Sequence, residues 1–177
     1  MILLKCKDYF ILSSLRNLFG QKNILVSTKD SSNFFFDIEI DINKDNQIRI
    51  HDKKRTLTLE RPIIFEIFFS KFIDFLSNTL IRRAKFDYNP ISQLIYFENQ
   101  TSYLGSIHNS IISSLLLNID TGVNKLSLYG KIWPNDKNIQ INKLDTHITN
   151  LKNKLNNDLG FDLNLVSISG NLKLIID

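Results

Sequence analysis

One stretch of the chain carries polar side chains at a spacing that could do chemistry on another macromolecule. Between Ile141 and Asn156, Leu144, Ile148, Leu151 and Leu155 recur at i, i+4, i+7 and i+11, the seam of a helix that packs on one side. Its other side carries Lys143, His147, Thr149, Asn150, Lys152 and Lys154. Ammonium groups neutralise phosphates, while hydroxyls and amides hydrogen-bond to phosphate oxygens or base edges, so such a helix suits a nucleic-acid major groove. An ordinary solvated helix face has the same pattern, and spacing alone does not separate the two.

Other chemistries find less support. His51, His108 and His147 fall in different expected elements, and none sits beside a nucleophile in the manner of a triad. The chain has no glycine-rich phosphate loop, no nucleophile elbow and no His/Cys/Asp metal spacing. We therefore expect no enzyme, no bound metal and no cofactor. The single cysteine, Cys6, excludes an internal disulfide and reads as a buried, inert thiol. Asp37 and Asp41 are conceivable phospho-acceptors, but a magnesium-dependent site needs clustered acids. Their alternation with apolar residues describes an exposed strand face instead, and no phosphorylation site is assigned.

Several elements must position that helix. Ile2–Leu4, a helix over Tyr9–Phe19 stopped by Gly20, and Ile24–Val26 read as a βαβ unit. In residues 34–42, Phe36, Ile38, Ile40 and Ile42 alternate with Asp37, Glu39 and Asp41, the period of a half-buried strand. Turn signals at 43–46 and 52–55 separate it from strands 47–50 and 56–60, links too short for parallel crossovers, so a meander is expected. Pro62 suits the first turn of a helix over Ile63–Ile81. That helix is apolar around most of its circumference, with Phe65, Phe68, Phe69, Phe72 and Phe75 available to a second subunit or to the chain's own second domain. Glu66, Lys71 and Asp74 fall in its middle and argue against a membrane span. With no secretory signal after Met1–Leu4, a soluble cytoplasmic protein is expected.

Arg82–Lys85 reads as a domain boundary, giving domains 1–83 and 86–177. Short strands over Phe86–Leu104, broken at Asn89-Pro90 and Glu98-Asn99, precede three helices. These are Ile107–Asn118 with Ser106 as its N-cap, Asn124–Trp133 ending at Pro134, and Ile141–Asn156. A hairpin of Leu163–Ile168 and Leu172–Ile176, pivoting on Gly170-Asn171, closes the chain. The net charge of +4 is unevenly spread: residues 1–85 carry 15 Lys/Arg against 10 Asp/Glu, residues 86–177 only 7 against 8. Any electrostatic footprint of the second half must be local.

The run Leu126-Ser127-Leu128-Tyr129-Gly130-Lys131-Ile132-Trp133-Pro134 resembles the second helix of OmpR/PhoB-type response-regulator domains. Leu144-Asp145-Thr146-His147-Ile148-Thr149-Asn150-Leu151-Lys152-Asn153-Lys154-Leu155 resembles the recognition helix of that family, and Ser167–Leu174 its wing. Asn150 and Lys152 stand where relatives usually carry Arg, and Ser169, Asn171 and Leu172 replace the Arg, second Gly and Tyr usual in the wing. Much more weakly, residues 1–83 resemble a shortened receiver: Asp8 is retained where paired acids are usual, Lys7 is not acidic, and Arg61-Pro62 stands for the receiver's Lys-Pro, a bond the resemblance implies to be cis.

The resemblance implies a truncated receiver-like α/β domain with a mixed sheet, followed by an α+β winged helix-turn-helix domain. It implies an atypical, phosphorylation-independent transcriptional regulator of two-component type, homodimeric through its first domain, that binds double-stranded DNA. Contacts would come from Lys143, Thr146, His147, Thr149, Asn150, Lys152, Asn153, Lys154, Ser169, Asn171 and Lys173, with Lys131 or Lys137 adding backbone contacts. Other transcription proteins are further candidate partners. The alternative is a protein-interaction module that keeps the winged-helix fold and has lost DNA binding.

Overall fold

The computed structural model describes residues 2–6, 8–19, 24–27, 36–52, 54–78, 80–82 and 85–175, which fall into two compact units, 1–79 and 80–177. Lys7, Gly20, Arg83, Ala84, Ile176 and the side chain of Asp37 lie outside the described residues.

The first unit is a mixed sheet ordered β2-β1-β3-β4-β5, with β1 at Ile2–Cys6, β2 at Ile24–Ser27, β3 at Phe36–Ile42, β4 at Ile48–His51 and β5 at Thr56–Leu59. β1 runs parallel to both β2 and β3, and α1 (Tyr9–Phe19) makes the crossover between β1 and β2. β3, β4 and β5 form the antiparallel meander that the short turns demand. Alternation gives the sheet two unlike faces. Leu4, Ile38, Ile40 and Ile50 are buried with Leu12 and Leu15 of α1. The other face is a charged ladder, in which Asp41 takes two bonds from Arg49 at 2.9 and 2.7 Å and Lys5 faces Glu39 at 3.7 Å. Asp41 is therefore a cross-strand ion-pair partner. Cys6 is buried, and burial pushes its thiol up, away from the reactive thiolate.

Arg61-Pro62 is cis, and α2 spans Phe65–Ser77 rather than Ile63–Ile81. Pro62 thus lies outside the helix. At the other end, Asn78 caps α2, its side-chain amide and backbone N–H both reaching Asp74 O. Ile81 and Arg82 are not helical. They form β6, paired antiparallel with β7 (Asp87–Asn89) in the second unit. Of the phenylalanines expected at a subunit interface, Phe68, Phe72 and Phe75 are buried within the chain itself, Phe69 is half-buried and Phe65 is exposed. Ile64, which precedes α2, and Phe65 and Ile67 within it are exposed apolar residues.

In the second unit β6 and β7 continue into β8 (Leu94–Phe97) and β9 (Gln100–Tyr103), a four-stranded antiparallel sheet. Helices α3 (Gly105–Leu117), α4 (Lys125–Ile132) and α5 (Ile141–Leu159) follow, then the hairpin of β11 (Leu165–Ile168) and β12 (Asn171–Leu174). A short strand missed in the sequence, β10 at Val123–Asn124, adds to β12 and makes this a three-stranded sheet. α3 begins one residue before the expected cap, because Gly105 takes φ +71° to turn the chain out of β9, and Ser106 has no capping role. The core of the unit is pinned by a buried polar cluster: Tyr88 shares its hydroxyl with Asn109 Oδ1 and Ser113 Oγ, and Asn109 Nδ2 donates to Pro90 O at 3.1 Å. Burial drives the Tyr88 hydroxyl far above its ordinary pKa, so it stays a donor. Among the described residues no helix is long and apolar enough to cross a membrane.

Candidate nucleic-acid interface

α4 and α5 are built to hold one helix face outward. Asn124 caps α4, its side-chain oxygen accepting from the N–H groups of Leu126 and Ser127 at 3.0 and 3.2 Å. α5 docks through Leu144, Ile148, Leu151, Leu155 and Leu159, all buried. It runs one turn past the expected end at Asn156, since Leu159 extends the seam and Gly160 is the first residue that readily takes the left-handed cap, at φ +62°.

At 100° per residue, the direction opposite the seam is occupied by Thr146, Thr149, Asn150 and Asn153, all exposed, with Asn142, Asn156 and Asn157 extending the row. No formal charge lies on this apex. The lysine-rich face expected from the sequence is, in the folded unit, an amide-and-hydroxyl face with its charges on the flanks. The two threonines spend their hydroxyl protons on the helix backbone, Thr146 on Asn142 O at 2.8 Å and Thr149 on Asp145 O at 3.0 Å. Their methyls and acceptor lone pairs remain outward, and the asparagine amides supply the apex with donors.

The flanking cations are mostly spoken for. Lys143 lies 3.2 Å from Asp136 and 4.3 Å above the Trp133 ring. Lys154 pairs with Asp158 at 2.6 Å, and Asp158 also accepts from Ser102 Oγ at 2.6 Å. These bonds hold Asp158 below the usual carboxylate range. Lys125 pairs with Asp145 at 2.6 Å. Lys131 is exposed as a residue but turns its ammonium to Ser114 Oγ at 2.9 Å, where desolvation lowers its pKa. Lys137 is exposed, while Lys152, on the flank opposite Lys143, and Lys173 are half-buried; none of the three has a carboxylate partner among the described residues. The i,i+4 spacing of Lys154 and Asp158 was visible in the sequence. The approach of Asp136 to Lys143 was not, because it depends on how residues 133–140 fold back.

His147 belongs to an aromatic cluster, its ring 5.5 Å from Trp133 and 6.0 Å from His108. Burial, then the neighbouring His147 and Lys154, hold the His108 imidazole below its ordinary pKa. The folded state therefore prefers neutral His108. As pH falls through the ordinary histidine value the unfolded chain takes the proton first, so stability present at neutral pH is lost on acidification. Unfolding followed by Trp133 fluorescence should give a lower midpoint at about pH 5 than at about pH 7, and His108→Gln should shrink that difference. An unchanged difference would remove His108 as its cause.

The hairpin turns on Ser169 and Gly170, at φ +49° and +79°, with Ile168 paired to Asn171. This is a two-residue turn with positive φ at both centres, not a pivot on Gly170-Asn171. Ser169 and Asn171 are exposed at its tip, whereas Leu172, in the position where the resemblance expects Tyr, is buried in the core with Leu174. Ile168 and Val166 remain exposed on β11, at 61 and 36 %. Among the described residues no group of three or more His, Cys, Asp or Glu could hold a metal ion.

No family model and no curated protein matches this chain. Among solved structures, the chain is similar to the C-terminal domain of the nisin resistance regulator NsrR, described as a lantibiotic response regulator, at 29% identity and a TM-score of 0.43, covering 52% of this chain and 93% of that one.

Proposed function

We propose that the chain is a DNA-binding transcriptional regulator whose second unit acts as a winged helix-turn-helix domain, with α5 entering the major groove. The observation that carries this is the apex of α5: a solvent-exposed row of Asn and Thr, held outward by a buried seam of four leucines and Ile148. Asparagine can pair bidentately with adenine N6 and N7, and a threonine methyl can meet the thymine methyl. The motifs over 126–134, 144–155 and 167–174, and the order sheet, three helices, hairpin, support the same reading. Recognition on this surface is by base edges, with Asn150 and Asn153 central. Phosphate contacts fall to Lys152, Lys173, Lys137 and the tip of the hairpin at Ser169 and Asn171.

Phosphorylation independence is part of the proposal. Asp8 turns its carboxylate into the α1 N-terminus, accepting from Ile11 N at 3.0 Å, and Asp41 is paired to Arg49. The strand order of the first unit supports a receiver-like ancestry. The reversed β4, with turns at 43–47 and 52–55, leaves no room for the crossover helices of a parallel sheet. Self-association through this unit is proposed on the exposed Ile64 and Ile67 at the start of α2, outside the lining of the cleft described below.

Anisotropy titration of the full chain on A·T-rich and G·C-rich duplexes at several salt concentrations tests this. With about three uncompensated cations, log affinity should fall against log salt with a slope of about −3 or shallower, and Lys152→Ala should reduce it by about 1. Absence of binding to any duplex by the folded chain would favour a protein-interaction module, for which the apolar Val166 and Ile168 on β11 offer a surface.

A further inference from the structure

Within the first unit the carboxyl ends of β1, β3 and β5 point the same way, since β4 is antiparallel to both β3 and β5. β1 has β2 on one side and β3 on the other, a switch point in strand order. In open α/β sheets the crevice outside the carboxyl ends at such a point is where ligands bind. A cleft of about 380 Å³ opens there, lined by residues that follow β1 and β5 and by the start of β4. That volume lies at the lower end of the roughly 300–1,000 Å³ typical of small-molecule sites.

The lining is unlike that of a phosphate or metal site. Ile48 and Phe68 are buried in its floor, and Phe10 and Phe65 stand exposed at its rim, 82 and 43 % accessible. Two ionic groups border it. Asp8 is turned to the α1 N-terminus, where its oxygen accepts from Ile11 N. Arg61 donates to Asn46 Oδ1 at 3.0 Å, a neutral partner that orients the guanidinium without cancelling its charge, and no carboxylate pairs with it among the described residues. A wholly apolar occupant would desolvate Arg61 with nothing in exchange. An inorganic anion would leave the phenylalanine and isoleucine walls in contact with water. We infer that this cleft binds a small amphipathic organic anion, its carboxylate on Arg61 and its hydrocarbon body between Phe10, Phe65 and the floor.

Isothermal titration of the full chain with decanoate, decanol and inorganic phosphate tests the assignment. Decanoate should saturate one site per chain, decanol should bind at least about tenfold more weakly, and phosphate should give no heat of binding. Loss of a charge-assisted pair predicts that Arg61→Gln weakens decanoate by about tenfold to a hundredfold with decanol unchanged, while Arg61→Lys recovers part of the loss. Phe10→Ser, a change at an exposed rim position, should weaken both amphiphiles. Failure of decanoate to saturate, or equal affinity in Arg61→Gln, overturns the inference. So does a decanoate affinity that falls as protein concentration rises, which would make the occupant a second copy of the chain.

Discussion

Alanine at both Asn150 and Asn153 is expected to erase the sequence preference of the chain while leaving its fold intact. Each asparagine that pairs bidentately with a base contributes about 1–3 kcal/mol of discrimination, on the order of tenfold to a hundredfold. Both residues are exposed on α5, so stability should move by about 0.5 kcal/mol or less. Two readouts on the same preparations separate the effects: competition between a selected duplex and a scrambled one, and urea unfolding followed by Trp133, the only tryptophan in the chain. Because the apex carries no charge, residual non-specific affinity and its salt slope should survive the double change. A double variant that still prefers the selected duplex would take the apex of α5 out of recognition. The reverse change, Asn150→Arg, should strengthen binding to all sequences and steepen the salt slope by about 1.

The second large effect concerns what holds that apex outward. Leu151 is fully buried at the middle of the α5 seam, between Ile148 and Leu155. Leu151→Ala removes its contacts and leaves a cavity, a change that costs about 2–5 kcal/mol in well-packed cores. The Trp133 ring packs against His147 of the same helix at 5.5 Å, so its fluorescence reports the docking of α5 directly. The urea midpoint should fall by about 1 M or more, given the roughly 1–3 kcal/mol per molar sensitivity of small domains. DNA affinity should drop with it, in proportion to the population that loses the docked helix. A loss below about 1 kcal/mol would mean that α5 is held by something other than this seam.

The periodicity of the leucine seam in α5 was legible because burial of one helix face leaves a mark every three to four residues, and the meander β3-β4-β5 because short turns forbid crossovers. The limits of α2 were not. Leu80 and Ile81 resume the apolar pattern after three polar residues, and only the capping by Asn78 and the pairing of Ile81 with Tyr88 decide that a strand begins there. Pairing is a long-range event with no local signature. The same holds for β10, two residues long, which exists only because β12 lies beside it.

For the helix first singled out by its lysines, the sequence determined the seam, the polarity of the opposite side and the candidate groups. Tertiary structure decided which of those groups remain available. Lys143 and Asp136 are seven residues apart and not on one helix, yet the fold brings them to 3.2 Å, while Ser102, far away in the chain, shares Asp158 with Lys154. Sequence fixes side-chain chemistry residue by residue. Charge cancellation depends on separations of a few ångströms, and those are set only when the strands and loops around the helix have packed.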